Sequence, residues 1–179
     1  TEAGTVHSLE ELRALTAVAK AANLPVHLDG ARFANALVTL GCTAAEMTWK
    51  SGVDVVSFGG TKNGCAGVEA VVFFDPGKAW EFELRRKRGA HLFSKHRYLS
   101  AQMQGYLKND LWLDMARKSN AACARLTAGL REKGAEFVHS PQANMIFVRL
   151  SRATHQRLHA AGAIYYVLDG DMANGPADE

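Results

Sequence analysis

Pro25-Val26-His27-Leu28-Asp29-Gly30-Ala31-Arg32 and Val53-Asp54-Val55-Val56-Ser57-Phe58-Gly59-Gly60-Thr61-Lys62-Asn63-Gly64 decide how this chain folds. Each is a short apolar run that ends in polar, glycine-containing sequence, and Asp29 and Lys62 lie 33 residues apart. Helical sequence lies between them, so the two runs read as strands of a βαβ unit in a mainly parallel sheet. Ligands of such sheets bind at the carboxyl ends of the strands. The pattern therefore predicts that Asp29, Arg32 and Lys62 converge on one small molecule.

Working outward, Ser8-Leu9-Glu10-Glu11 fits a capping box, with Leu9, Leu12, Leu15 and Val18 following at helical spacing until Asn23-Leu24-Pro25. Phe33–Val38 reads as a turn into a helical stretch. Thr43-Ala44-Ala45-Glu46 repeats the capping pattern before a short helix towards Lys50. Strands are expected at Val26–Leu28, Val53–Phe58 and Glu69–Phe74, the last closed by Asp75-Pro76-Gly77. A helix is expected from Lys78 to Arg88, then a polar loop to Arg97. Trp112, Met115, Ala116, Ser119, Cys123, Leu126 and Leu130 share one helical face, and Lys133-Gly134 ends that helix. A strand at Asn144–Leu150, a helix at Ala153–Ala161 and a strand at Ile164–Leu168 complete the reading. The fold class is α/β: a large domain over residues 1–105 with a mostly parallel sheet, then a smaller α/β domain over residues 106–179. The polar end from Asp169 onwards reads as a tail, and the chain as part of a longer protein or an altered version of one.

Of the 179 residues, 47% are apolar and 22% charged, which suits a globular protein. No stretch approaches the ~18 consecutive apolar residues of a membrane-spanning helix. Cys42, Cys65 and Cys123 are odd in number and widely spaced, so reduced thiols and a cytoplasmic location are expected. The net charge is +3, and Lys78, Arg85, Arg86, Lys87, Arg88, Lys95 and Arg97 concentrate it against only Glu81 and Glu83. Nucleic-acid binding calls for a broader basic face or a known module, and neither is visible. That run reads as a solvated helix end, or as an anion site facing a phosphate or a neighbouring subunit.

Lys62 is the first candidate for chemistry. A lone lysine between glycines is usually just exposed, but neither Gly-x-x-x-x-Gly-Lys-Ser/Thr nor Gly-x-Gly-x-x-Gly is present to make this a nucleotide loop. A lysine that forms a Schiff base, with an aspartate to pair with a pyridinium nitrogen, is what a pyridoxal phosphate site requires. Gly59 and Gly60 would then admit the backbone close to the cofactor, and the Thr61 hydroxyl could bond a phosphate oxygen. Asp29 taken alone is an ordinary cap. Arg32 is either a surface ion-pair partner or a planar cation for a carboxylate. His155 and His159 have the spacing of a zinc helix, but Gln156 stands where the catalytic glutamate would be, so they read as a polar face and no metal is expected. His27 reads as a packing residue.

His27-Leu28-Asp29-Gly30-Ala31-Arg32 followed by Ser57-Phe58-Gly59-Gly60-Thr61-Lys62-Asn63-Gly64 resembles the low-specificity L-threonine aldolases, including the phenylserine aldolases. These are fold-type-I pyridoxal 5'-phosphate enzymes of the β-eliminating lyase group. The resemblance runs from residue 1 to about 168. It implies that Lys62 holds the cofactor as a Schiff base, that Asp29 pairs with the pyridine nitrogen and that Arg32 contacts the substrate carboxylate. Arg97 resembles an arginine that reaches a cofactor phosphate across a subunit interface. The implied activity is retro-aldol cleavage of a β-hydroxy-α-amino acid (L-threonine, allo-threonine or phenylserine) to glycine and an aldehyde, in a homo-oligomer, dimer or tetramer. The family's phosphate loop, ring-stacking aromatic residue and second carboxylate-binding arginine are not found, so the chain alone is expected to hold half a site and to be inactive. Two other readings carry the same residues: a different fold-type-I lyase or aminotransferase, and a segment that only folds or associates with a partner chain.

Overall fold

The computed structural model describes residues 2–168, so the polar tail expected from Asp169 onwards lies outside the described residues. Helix α1 spans Leu9–Ala21 and opens as its capping box predicts. The Ser8 backbone N–H donates to Glu11 Oε2 at 2.7 Å, and the Glu11 N–H donates to Ser8 Oγ at 3.1 Å. Strand β1 spans His27–Gly30, α2 Phe33–Leu40 and the one-turn α3 Ala44–Met47. Thr43 and Glu46 close the second capping box. Strand β2 spans Val55–Gly59 and β3 Glu69–Phe73.

β1 pairs with β2 in parallel, Asp29 opposite Ser57 and Gly30 opposite Phe58, as the βαβ reading requires. β3 then pairs with β2 antiparallel, Glu69 opposite Gly59. Residues 60–68 carry no helix beyond a 3-10 turn, and a return to a parallel position needs a crossover of about a dozen residues or more. β1 also runs further than expected, which places Asp29 within the strand.

Strand alternation turns Leu28, Val56 and Phe58 to one face of the sheet and His27, Asp29, Val55 and Ser57 to the other. The first face is the core. Phe33, Ala36 and Leu37 of α2 are buried there with Met47, Val53 and Val56. Leu15 and Val18 of α1, which share the helical spacing of Leu9 and Leu12, are instead exposed.

Helix α4 spans Ala79–Arg88, with the Arg85–Glu81 pair at i,i+4, and its Phe82 ring lies 5.3 Å from Phe73 of β3. Helix α5, Arg97–Leu107, was not expected from the sequence, and α6 runs from Leu111 to Glu132. Asn109 and Asp110 turn the chain between them in left-handed conformation, φ 53° and 57°. Asn and Asp tolerate that region better than other side chains. α6 brings Trp112 into the core: its ring stacks on Phe33 at 6.4 Å and meets Phe58 edge-on at 5.5 Å. Ala116 of the predicted face is buried, as is Thr127, which the sequence reading did not include, whereas Leu126 is 58% exposed. Gly134, φ +75°, ends the helix region where the sequence placed the stop.

β4, Glu136–Phe137, and β5, Val148–Arg149, form a second, antiparallel pair, and α7 spans Arg152–Ala160. The strand expected over Asn144–Leu150 is thus only two residues long. Residues 164–168 form no strand and leave Ile164 and Tyr166 almost fully exposed. β-propensity needs a ladder partner to become a strand, and the described residues offer none there. No helix among the described residues is long and apolar enough to cross a membrane.

Phe33→Ala should lower unfolding free energy by about 3–5 kcal/mol, because the cavity left between β2 and α6 cannot close. Leu15→Ala, at an exposed site, should shift it by less than ~0.5 kcal/mol. Denaturant unfolding of both variants measures the contrast. The two capping boxes should also make stability acid-sensitive. Bonds from the Ser8 and Thr43 backbone and side chains hold the Glu11 and Glu46 carboxyls below their ordinary value of 4.5. A depressed folded value favours the folded state above 4.5, and the gain is lost as pH falls through the folded values. The denaturant midpoint of a Glu11→Gln, Glu46→Gln double variant should therefore fall less steeply with acidification than that of the parent.

Candidate active site

The parallel pairing of β1 and β2 sets the turns that carry Asp29, Arg32 and Lys62 side by side at the carboxyl ends of the strands. Asp29 is the penultimate residue of β1, exposed on the face away from the core, and its Oδ1 accepts the Ala31 N–H at 3.0 Å. That is an Asx turn, which fixes the carboxylate against its own backbone. Arg32 follows at the start of α2, half-buried, and its Nε donates to Asn144 Oδ1 at 3.1 Å.

After β2, Thr61–Asn63 form a 3-10 turn with Thr61 and Lys62 exposed and Asn63 buried. Asn63 anchors the turn: its Nδ2 donates to Tyr106 Oη at 2.6 Å and to the Trp112 carbonyl at 2.8 Å. From α5, the Gln102 amide oxygen accepts the N–H groups of Ala66 and Gly67 at 3.0 and 3.3 Å. The Thr61 N–H donates to Glu69 Oε1 at 3.3 Å, and its hydroxyl makes a long 3.5 Å contact with the Val68 carbonyl. Burial pushes the Tyr106 phenol up, and the Asn63 bond partly offsets that. Tyr106 is thus a neutral strut under the lysine turn.

Gly59 and Gly60, expected to admit the backbone close to a cofactor, also serve the packing of the chain. A Cβ on Gly59 would lie 2.7–2.9 Å from the Ala31 backbone, and one on Gly60 would lie 2.7 Å from the Val68 carbonyl. Both positions are needed for the chain to pack on itself. Gly64, φ +115°, likewise faces the Met115 side chain of α6.

Arg97 opens α5, the helix whose Gln102 and Tyr106 support the lysine turn. Its guanidinium lies 4.7 Å over the Tyr98 ring. His27 is no core residue: it is exposed on the Asp29 face, with Nε2 at 2.8 Å from Ser57 Oγ. His155 Nδ1 lies 2.8 Å from Tyr165 Oη, and the described residues contain no group of three acidic, His or Cys side chains able to hold a metal. Sequence reading missed Asn63, Gln102, Tyr106 and Asn144, all of which act through contacts far along the chain. Asn63, inside the glycine-bracketed loop, was the one with a visible signal.

A model of the beta-eliminating lyase family matches residues 1–153. The chain is 44% identical over 173 residues to a low specificity L-threonine aldolase of Pseudomonas aeruginosa, covering 96% of this chain and 50% of that protein. It is 42% identical over 172 residues to another low specificity L-threonine aldolase from a Pseudomonas species, covering 95% and 49% respectively. The solved structure of a Leishmania major threonine aldolase superposes with a TM-score of 0.81 at 28% identity, over 93% of this chain and 49% of that one. The chain spans about half the length of the curated relatives it matches. With the family match extending over most of its residues, this chain belongs to the beta-eliminating lyase family.

Proposed function

We propose that the protein containing this chain is a pyridoxal 5'-phosphate-dependent aldolase that cleaves β-hydroxy-α-amino acids to glycine and an aldehyde. The observation that carries the reading is the adjacency of the Asp29–Arg32 and Thr61–Asn63 turns at the carboxyl ends of paired parallel strands. The names of the Pseudomonas relatives supply the substrate class. The residues present fit the cofactor: Lys62 offers an exposed primary amine and Asp29 an exposed carboxylate, at the carboxyl ends of two paired parallel strands. In this reading Lys62 binds the cofactor covalently through its amine. The Asp29 oxygen not taken by the Ala31 N–H would accept a hydrogen bond from the protonated ring nitrogen, and the negative charge would keep that proton on the ring. The Thr61 hydroxyl, which makes only a long contact with the Val68 carbonyl, would donate to a phosphate oxygen, and Arg97 would add positive charge to the phosphate of a neighbouring subunit's site. Arg32 binds the substrate carboxylate. The cofactor supplies an electron sink for the pair released when Cα–Cβ breaks.

The chain would supply the 1–105 part of a cofactor-binding domain and, from residue 106, a smaller α/β domain; the separate β4–β5 sheet supports that division. A homo-oligomer follows from the role given to Arg97. A reducing, cytoplasmic compartment suits the three free thiols.

The test is glycine release from L-threonine and L-phenylserine by the whole protein supplied with pyridoxal phosphate. Glycine should appear with the parent and vanish with Lys62→Ala. Ammonia and a keto acid in its place would assign another lyase or transaminase chemistry. Gly59→Ala should reduce glycine formation by roughly 10²-fold, since its methyl pushes the Ala31 backbone away and separates the two turns. Steady-state kinetics of the purified variant read that loss.

A further inference from the structure

We propose that Asn144 is a positioning residue for Arg32, turning the guanidinium so that its two terminal amino groups meet the substrate carboxylate end-on. The inference rests on the carboxylate role given to Arg32 above. An Nε–H can only donate, so the Asn144 amide presents its oxygen to it, at 3.1 Å and across 112 residues of sequence. A guanidinium can grip a carboxylate through Nε and one terminal nitrogen, or through both terminal nitrogens. Asn144 occupies the first of these modes and leaves the second.

Asn144 can hold that position because its loop is tied down on several sides. The Gln142 N–H donates to the Gly4 carbonyl at 2.9 Å, and the Val6 N–H donates to Gln142 Oε1 at 2.8 Å. Thr39 Oγ1, on α2 itself, donates to the Gln142 carbonyl at 2.6 Å. Ala143 is buried, and Gly4, φ +82°, lies so close under the Met145 carbonyl that no side chain fits there. The base of Arg32 is equally rigid, because Phe33 to Leu37 follow it into the core. With its Cα set by α2 and its Nε set by Asn144, a long flexible side chain is held near one orientation before substrate arrives. Such preorganisation is worth affinity because the ordering cost is met in advance.

The chemistry of the acceptor matters as well. A neutral amide leaves the full positive charge of Arg32 for the substrate. A carboxylate at the same place would pair with the guanidinium and compete with the ligand. Asn144→Asp, nearly isosteric, therefore separates orientation from charge, while Asn144→Ala removes orientation alone.

The experiment uses the whole protein loaded with pyridoxal phosphate. Glycine binding is measured by titration calorimetry, KM and kcat with L-threonine, and fold by thermal unfolding, for the parent, Arg32→Ala, Asn144→Ala and Asn144→Asp. Asn144→Ala should raise the glycine Kd and KM by about tenfold, the scale of one charge-assisted hydrogen bond, with kcat within about twofold. Asn144→Asp should weaken glycine binding further while unfolding at the parent temperature. Unchanged glycine binding in both Asn144 variants, with Arg32→Ala strongly impaired, would overturn the positioning role and leave Arg32 as the carboxylate ligand. Unchanged binding in Arg32→Ala would remove the carboxylate reading itself. A drop in kcat and unfolding temperature at constant KM would reduce Asn144 to a structural residue.

Discussion

The candidate site depends on how closely the ends of β1 and β2 approach one another. Parallel pairing brings Asp29 opposite Ser57, and the missing side chain of Gly59 lets the Ala31 backbone come into direct contact. Phe33, just after the first turn, and Phe58, just before the second, meet edge to face with centroids 5.5 Å apart. Trp112 packs on both. The contact that closes the core therefore also sets the spacing of the two polar turns above it. A close-packed interior transmits strain, so neither turn can move without disturbing those rings.

The lysine turn lies outside the strand ladder, and side chains from later in the sequence hold it. Asn63 is buried against Tyr106 and Trp112, and Gln102 satisfies two backbone N–H groups of the loop that follows. A buried amide needs its partners, and these come from α5 and the start of α6. Helix α6 is in turn bound to α2 by a polar network. Asn35, fully buried, donates to Ser119 and Asn120, while Asn120 donates back to the Asn35 carbonyl and to Thr39. Thr39 then reaches the Gln142 carbonyl beside Asn144. The frame around Asp29, Arg32 and Lys62 thus includes residues well beyond the two strands that carry them.

Much of the local structure was legible because its causes are local. A capping box closes over three residues, and both boxes formed where Ser8-x-x-Glu11 and Thr43-x-x-Glu46 predicted. Helical periodicity located α1 and α6 to within a few residues, and the helix expected over Ala153–Ala161 formed as α7 over Arg152–Ala160. Where the pattern was weak, as in Arg97–Leu107 with its scattered apolar residues, the helix went unread. The Asn144–Leu150 and Ile164–Leu168 runs show the opposite error. Their β-prone composition was read as strand, but pairing reached only Val148–Arg149 in the first and none of the described residues in the second.

The amino-acid sequence by itself determined which residues stand at the ends of β1 and β2, and so which side chains are available for chemistry there. Those assignments rest on spacings of a few residues, where backbone geometry leaves little freedom. Only the tertiary structure decided that β3 runs antiparallel, that Gly59 serves the Ala31 contact, that His27 faces outward, and that Asn144 meets Arg32. Each of these joins segments whose separation in the chain carries no local pattern. They become definite once the aromatic core has closed and set the distances at which a hydrogen bond or a backbone contact can form.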